Sequence, residues 1–199
     1  MLEHVISLRA EVREGAGKNA NRRVRAGGLL PAVVYGDGVE NATIAVSPKE
    51  LTTALSNPYI FNSVFRLERE GQEPVLCMIK ERQFDSVRRV LTHVDFLAVS
   101  PERFVTIDVP VDPQGKSEGE KLGGRLVVVS RSVKLRCRVK DIPVSVPHDV
   151  SPLRVSESVY VDEMTAPAGC ELVYKNRFPV IRVARKRGAK VQADSDSDS

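Results

Sequence analysis

Between positions 13 and 25 the chain reads Arg13-Glu-Gly-Ala-Gly-Lys18-Asn-Ala-Asn21-Arg22-Arg23-Val24-Arg25, five cations and two amides spaced among small residues. A guanidinium presents a planar fork of donors that fits phosphate oxygens or a guanine edge, and glycines at 15 and 17 let a backbone come close to a polyanion. The chemistry this suits is nucleic-acid binding. A solvated basic loop is the plain alternative, since short Lys/Arg runs occur on many surfaces. Further on, His93 and Asp95 stand two apart, a spacing that puts both on one face of a strand. Such a pair serves a hydrolytic triad, a metal site, a polar contact to a ligand, or simply a buried histidine held by a carboxylate. No nucleophile-elbow motif accompanies it, and His4 and His148 are the remaining imidazoles, so catalysis and metal binding find little support. Gly115-Lys116-Ser117 has the form of the end of a phosphate-binding loop, but Pro110 occupies the position where that loop needs glycine.

The elements that must position these residues read mainly as short strands. Ile6, Leu8, Ala10 and Val12 alternate with polar neighbours, the period of a half-buried strand. Residues 18–26 lack that alternation and fit either a short helix or an irregular loop. Leu29-Leu30-Pro31-Ala32-Val33-Val34-Tyr35-Gly36 reads as a buried strand running into a turn. Ser47-Pro48-Lys49-Glu50 is a capping box with proline at the first helical position, which predicts a helix over about 48–55. Phe65 and Leu67, a turn at Glu70-Gly71-Gln72, and the run from Val75 to Ile79 predict a hairpin, and Val94 with Phe96 predicts one more strand with His93 and Asp95 on its opposite face. Many strands with few helices imply a small β-barrel.

Four motifs now stand in order: Gly-Lys18-x-x-x-Arg22-Arg23-x-Arg25, Pro31-Ala-Val-Val-Tyr35-Gly36, Ile79-Lys80-x-x-Gln83, and His93-Val-Asp95-Phe96. Together they resemble the bacterial-type large-subunit ribosomal proteins that bind 5S ribosomal RNA, also called the general stress protein Ctc family, in the long two-domain form. The motifs cover about residues 5–98. Val109-Pro-Val111, the glycine pair 123–124 before an apolar strand, Asp141-Ile-Pro and Ala168-Gly-Cys170-Glu-Leu resemble the second, all-β domain. The resemblance implies an all-β fold with minor α: a small RNA-binding β-barrel over 1–99, a β domain over 100–184, and a basic-then-acidic tail over 185–199. It implies a structural protein of the central protuberance that performs no chemistry. Its partners are 5S rRNA with neighbouring large-subunit proteins and rRNA, without a membrane or a small-molecule substrate. An RNA-binding or stress-induced protein acting off the ribosome, with a barrel like the anticodon-binding barrels of glutaminyl-tRNA synthetase, is the alternative.

Carried over residue by residue, the resemblance assigns Arg13, Lys18, Arg22, Arg23 and Arg25 to phosphates or base edges. It assigns Asn21, Tyr35, Lys80 and Gln83 to further hydrogen bonds, and His93 and Asp95 to fixing register in a minor groove. No cofactor is implied for the protein, and the magnesium ions of such an interface belong to the RNA. The chain departs from the family pattern at Asn19 and Asn21, where glycine and then alanine or serine are usual, and at Phe84-Asp85-Ser86-Val87, which lacks the usual basic residue and proline.

Composition agrees without deciding. A length of 199 residues allows one large or two modest domains, and a net charge of +4 is mildly basic. The charge is local, since Arg9, Arg13, Lys18, Arg22, Arg23 and Arg25 face only Glu11 and Glu14 in their stretch. The lack of tryptophan argues against base stacking as the main binding contribution. Cys77, Cys137 and Cys170 are far apart in sequence, each in an apolar strand context, and read as reduced core residues and not as disulfides or metal ligands. With no apolar run of membrane-spanning length and no visible leader, the expectation is a soluble protein on cytoplasmic ribosomes, an organelle ribosome being compatible too. In the second half, Lys134, Arg136, Arg138 and Lys140 alternate with Val133, Leu135, Cys137 and Val139, giving a strand with a basic outer face that reads as edge protection by charge more than as RNA contact. The tail from Arg185, ending Asp194-Ser-Asp-Ser-Asp-Ser199, reads as disordered.

Overall fold

Alternating apolar residues along six strands close a barrel in the first half of the chain. The computed structural model describes residues 5–13, 15, 17–59 and 62–185; beyond Arg185, the expected disordered tail lies outside the described residues. In chain order the elements are β1 (Val5–Val12), α1 (Lys18–Ala26), β2 (Leu30–Gly36), β3 (Val39–Val46), α2 (Pro48–Ala54), β4 (Val64–Arg69), β5 (Val75–Asp85) and β6 (Val90–Ala98). Around the barrel the order is β1-β3-β2-β6-β5-β4, closed by parallel pairing of β1 with β4. Closure leaves no unpaired edge in this sheet.

The inward residues Leu8, Leu30, Val34, Ile44, Leu67, Val94 and Phe96 are buried, and Phe65 meets Phe96 edge to face with ring centroids 5.9 Å apart. The helix α2 starts where the capping box places it: Ser47 Oγ accepts from the Glu50 N–H at 3.3 Å, and Leu51 drops into the barrel core. A second apolar cluster joins Val64, Met78 and Val99 to Val139, with Val105, Ile107 and Ile142 packed against it.

The rest of the chain forms β7 (Phe104–Gln114), α3 (Glu118–Lys121), β8 (Arg125–Val128), β9 (Ser132–Arg138), β10 (Val146–Asp149), β11 (Ser158–Tyr160), β12 (Cys170–Leu172) and β13 (Pro179–Ala184). These make a four-stranded sheet ordered β10-β7-β9-β12 and a three-stranded sheet ordered β11-β13-β8. The fold class is all-β with minor α. By packing, one unit takes 1–107 with 136–144 and 168–170, and the other takes 108–135, 145–167 and the chain from 171 on, so β7, β9 and β12 each have residues in both.

Two features differ from the sequence reading. The stretch 113–124, whose Gly, Lys and Glu read in sequence as a polar loop, contains α3: Ser117 is wholly buried as its N-cap, accepting from the Glu120 N–H at 3.2 Å while Glu120 Oε2 accepts from the Ser117 N–H at 3.2 Å. The basic strand β9 is not an edge. It lies between β7 and β12, so edge protection cannot explain its charges. Instead Arg136 and Arg138 lie over the exposed ring of Phe104 at 5.5 and 5.4 Å, and Glu102 accepts from Arg138 at 3.2 Å and Lys140 at 2.7 Å. These cations cover an aromatic surface and engage an acid within the chain.

Candidate RNA interface

The basic segment resolves into a helix. Alanine and arginine favour helix, and glycines on either side punctuate it: Gly17 at the N-cap has φ 105, which a side chain would strain, and the Gly27 N–H donates to the Arg23 carbonyl at 3.0 Å. Its sequence, KNANRRVRA, contains no acid, buries no residue fully, and places Arg23 and Arg25 in the last turn, where the helix dipole favours cations. Lys18, Arg22, Arg23 and Arg25 are all exposed. The first turn has no side-chain cap, so its N–H groups offer donors of the kind that phosphate oxygens accept. Asn21 is half-buried, and its Oδ1 is buried without a hydrogen-bond partner among the described residues.

Arg13 has a different position from the helical arginines. Its Nε donates to the Ile44 carbonyl at 3.0 Å and its Nη1 to the Gly15 carbonyl at 3.3 Å, while its own carbonyl accepts from Thr43 Oγ1 at 2.8 Å. Burial lowers its pKa from the ordinary value. It therefore ties the end of β1 to β3 and to the glycine segment that leads into α1.

The helix packs on β2, and β2 pairs in parallel with β6, which pairs in turn with β5. Inward residues of β6 are Val94, Phe96 and Ala98, so His93 and Asp95 face outward. Asp95 stands opposite Val33 on β2 and Glu81 on β5, and His93 stands opposite Gln83. His93 Nδ1 lies 2.7 Å from Asp95 Oδ1, with side chains 17% and 29% exposed. Burial, and then the charges of Asp95 and Glu81, raise the pKa of Tyr35, which keeps its hydroxyl protonated at neutral pH.

The structure thus brings Tyr35, Gln83, His93 and Asp95 onto one wall, β2-β6-β5, beside a basic helix. Lys80 is exposed at a register shift between Ile79 and Glu81. That bulge resets the alternation of β5, so that Glu81 and Gln83 align with Asp95 and His93. Glu81 is the wall residue that sequence reasoning missed, because strict alternation cannot be counted through an unmarked bulge.

Comparison with known proteins identifies the family. Residues 8–96 match the model of the ribosomal L25p family, and residues 104–187 match that of the ribosomal protein TL5 C-terminal domain. The large ribosomal subunit protein bL25 of Syntrophotalea carbinolica is 36% identical over 188 residues, covering 94% of this chain and 90% of that protein. The chain belongs to the bL25 family. Similarity to the bL25 of Zymomonas mobilis, 33% identical, runs over 100% of this chain and 91% of that protein. The bL25 of Anaeromyxobacter sp. strain Fw109-5, 36% identical, covers 97% of this chain and 81% of its own length. As a bL25-family protein the chain is a non-enzymatic structural protein of the large ribosomal subunit. Its membership accounts for a mildly basic chain with an acid-free basic helix. No helix among the described residues is long and apolar enough to cross a membrane.

Proposed function

We propose that this bL25-family chain binds 5S ribosomal RNA in the central protuberance of the large subunit, through α1 and the β2-β6-β5 wall. The observation that carries this reading is an acid-free helix with three exposed arginines seated on β2, one strand away from the partly exposed His93–Asp95 pair. The two parts suit different tasks. Arginines neutralise phosphates and fix the protein on the RNA without reading sequence, whereas short polar side chains on a sheet reach base edges and 2′-hydroxyls in the wide, shallow minor groove of A-form RNA. Lys18, Arg22, Arg23 and Arg25 take phosphates, and Tyr35, Lys80, Gln83, His93 and Asp95 supply hydrogen bonds. Arg13 acts by holding the helix entry, and the half-buried Asn21, whose Oδ1 has no partner among the described residues, adds a neutral hydrogen bond.

The RNA-binding domain is residues 1–99, and the β domain over 100–184 reaches neighbouring ribosomal components. The host is the cytoplasmic ribosome. The test is competitive binding of the full chain to 5S rRNA and to an unrelated duplex of equal length, across a salt series. Preference for 5S rRNA that survives salt able to release the duplex is expected, together with co-sedimentation with large subunits in a sucrose gradient. Equal affinity for both RNAs at every salt concentration overturns the proposal.

A further inference from the structure

Two thiols face each other in the four-stranded sheet. β9 and β12 are neighbours there, and the Val173 N–H donates to the Lys134 carbonyl at 2.9 Å. In an antiparallel pair this bond sets 134 opposite 173, and three steps along each strand in opposite senses set Cys137 opposite Cys170. The side chains agree with that sense, because the Cys170 thiol donates to the Asp141 carbonyl at 3.6 Å, so going from 173 back to 170 moves along the facing chain from 134 toward 141. Bonded and non-bonded positions alternate along such a pair, so the cysteines fall on a non-hydrogen-bonded position, where Cα atoms approach to about 4.5 Å. That separation lies within the roughly 4.4–6.8 Å that a disulfide accepts, and opposed residues direct their side chains to the same face.

The two thiols differ in access. Cys137 is fully buried, whereas Cys170 is partly exposed, and Cys170 Sγ also donates to the Asp141 carbonyl at 3.6 Å. Burial pushes Cys137 up to about 12 and also raises Cys170, which is the member of the pair that solvent reaches. Cys77, by contrast, is buried in the barrel core. The expected core position therefore holds for Cys77 and Cys137, both fully buried, whereas Cys170 is partly exposed and opposes Cys137.

We propose that Cys137 and Cys170 are an oxidisable pair, in which a hydroperoxide oxidises Cys170 and Cys137 resolves the product into a disulfide tying β12 to β9. The Cys170 thiolate attacks a peroxide oxygen, the O–O bond breaks, and with hydrogen peroxide the departing hydroxide takes a proton to leave as water. Cys137 sulfur then attacks the Cys170 sulfenic sulfur; the S–S bond forms, the S–O bond breaks, and the thiol proton leaves with the hydroxide as a second water. Two thiols lose two electrons and two protons, and one peroxide becomes two waters. A dithiol reductant reverses the bond. The disulfide closes the chain segment that carries β10 and β11, which restricts the unfolded state and raises resistance to denaturant.

The experiment uses the reduced full chain, treated with hydrogen peroxide, alkylated with N-ethylmaleimide under denaturing conditions and digested without reductant. The expected result is a mass loss of two hydrogens, disappearance of two of the three thiols, and one linked peptide pair containing Cys137 and Cys170, with Cys77 alkylated. The rate should rise between about pH 7 and about pH 9, because the thiolate is the reacting form. The denaturant midpoint should rise on oxidation and return with dithiothreitol. Cys170→Ser, at a partly exposed position, should fold normally and lose both the linkage and the midpoint shift. Sulfinic acid at Cys170 with Cys137 still alkylatable, Cys170-linked dimers as the main product, or three intact thiols after peroxide would each overturn the proposal.

Discussion

His93 Nδ1 and Asp95 Oδ1 lie 2.7 Å apart on one strand, on the outer face of the barrel and not in its core. Their inward neighbours Val94 and Phe96 are fully buried, so alternation alone directs the pair outward. A partly exposed ion-pair geometry of this kind contributes little to folding, which leaves orientation of the imidazole and carboxylate at the surface as its main effect. That relationship separates a recognition role from a stability role by experiment.

Asp95→Asn keeps the shape of the side chain and replaces one acceptor with a donor. Discrimination between 5S rRNA and an unrelated duplex should fall by about 1–3 kcal/mol, the scale of one base-edge contact. Unfolding stability should change by about 1 kcal/mol or less, because the contact is partly hydrated. Denaturant midpoint and competitive RNA binding, measured on this one variant, decide the matter; lost stability with intact discrimination would remove Asp95 from the interface.

Gly36 tests how tightly the barrel closes beside this wall. Its φ is 129, and a Cβ there would sit 2.7 Å from the Ala98 carbonyl oxygen and 3.0 Å from the Ala98 nitrogen. Both are backbone atoms of the paired strand and cannot move aside alone. Gly36→Ala should destabilise by on the order of 1–3 kcal/mol through backbone strain, with further loss from the steric overlap. An unchanged thermal or denaturant midpoint would contradict the close approach of β2 and β6.

Ser117→Ala removes both hydrogen bonds that the hydroxyl makes with Glu120. Loss of an N-cap costs about 0.5–2 kcal/mol. The effect should appear in chemical denaturation and leave RNA affinity unchanged, since α3 lies in the second unit.

Much of this fold is legible locally. Leu8 and Ala10 face in because strand residues alternate, and α2 begins at Ser47 because Ser-Pro-x-Glu supplies both cap and proline. The same grammar stands at Ser117-x-x-Glu120, but Gly119 and Gly123 beside it mask a one-turn helix as a loop. For α1 the pattern is uninformative because the helix has no fully buried residue, so only the flanking glycines mark its ends. Strand order is not local at all: nothing near Arg136 reveals that β9 is an interior strand, and nothing near Cys137 reveals Cys170 across from it. The candidate site divides the same way. Its residue types are readable, whereas the backbone bonds that engage Arg13 and the bulge that aligns Glu81 and Gln83 depend on pairing with distant strands.

Residues 1–98 should bind 5S rRNA with nearly the affinity of the whole chain, because α1 and the wall lie entirely within them. The fragment should nevertheless be less stable. Val64 and Met78, now 6% and 4% exposed, would lose the cover of Val139, Ile107 and Ile142, and a fully buried aliphatic side chain contributes about 1.5–3 kcal/mol. Affinity measured on the folded fraction separates the two effects, and a large loss of affinity there would move part of the site beyond residue 98.

The arginines divide by what they touch. Arg22, Arg23 and Arg25 are exposed on α1, and each change to alanine should flatten the log–log salt dependence of RNA binding by about 0.7–0.9 per lost phosphate contact. Arg13 should behave differently, since its guanidinium donates to the Ile44 and Gly15 carbonyls. Arg13→Ala should lower unfolding stability by about 1 kcal/mol per hydrogen bond lost and weaken binding by loosening the entry to α1, with a smaller change in slope. Salt-series affinities paired with denaturant midpoints for the four single variants test this. A full slope change for Arg13 would make it a phosphate ligand like the others, and an unchanged slope for any helical arginine would place that side chain off the RNA backbone.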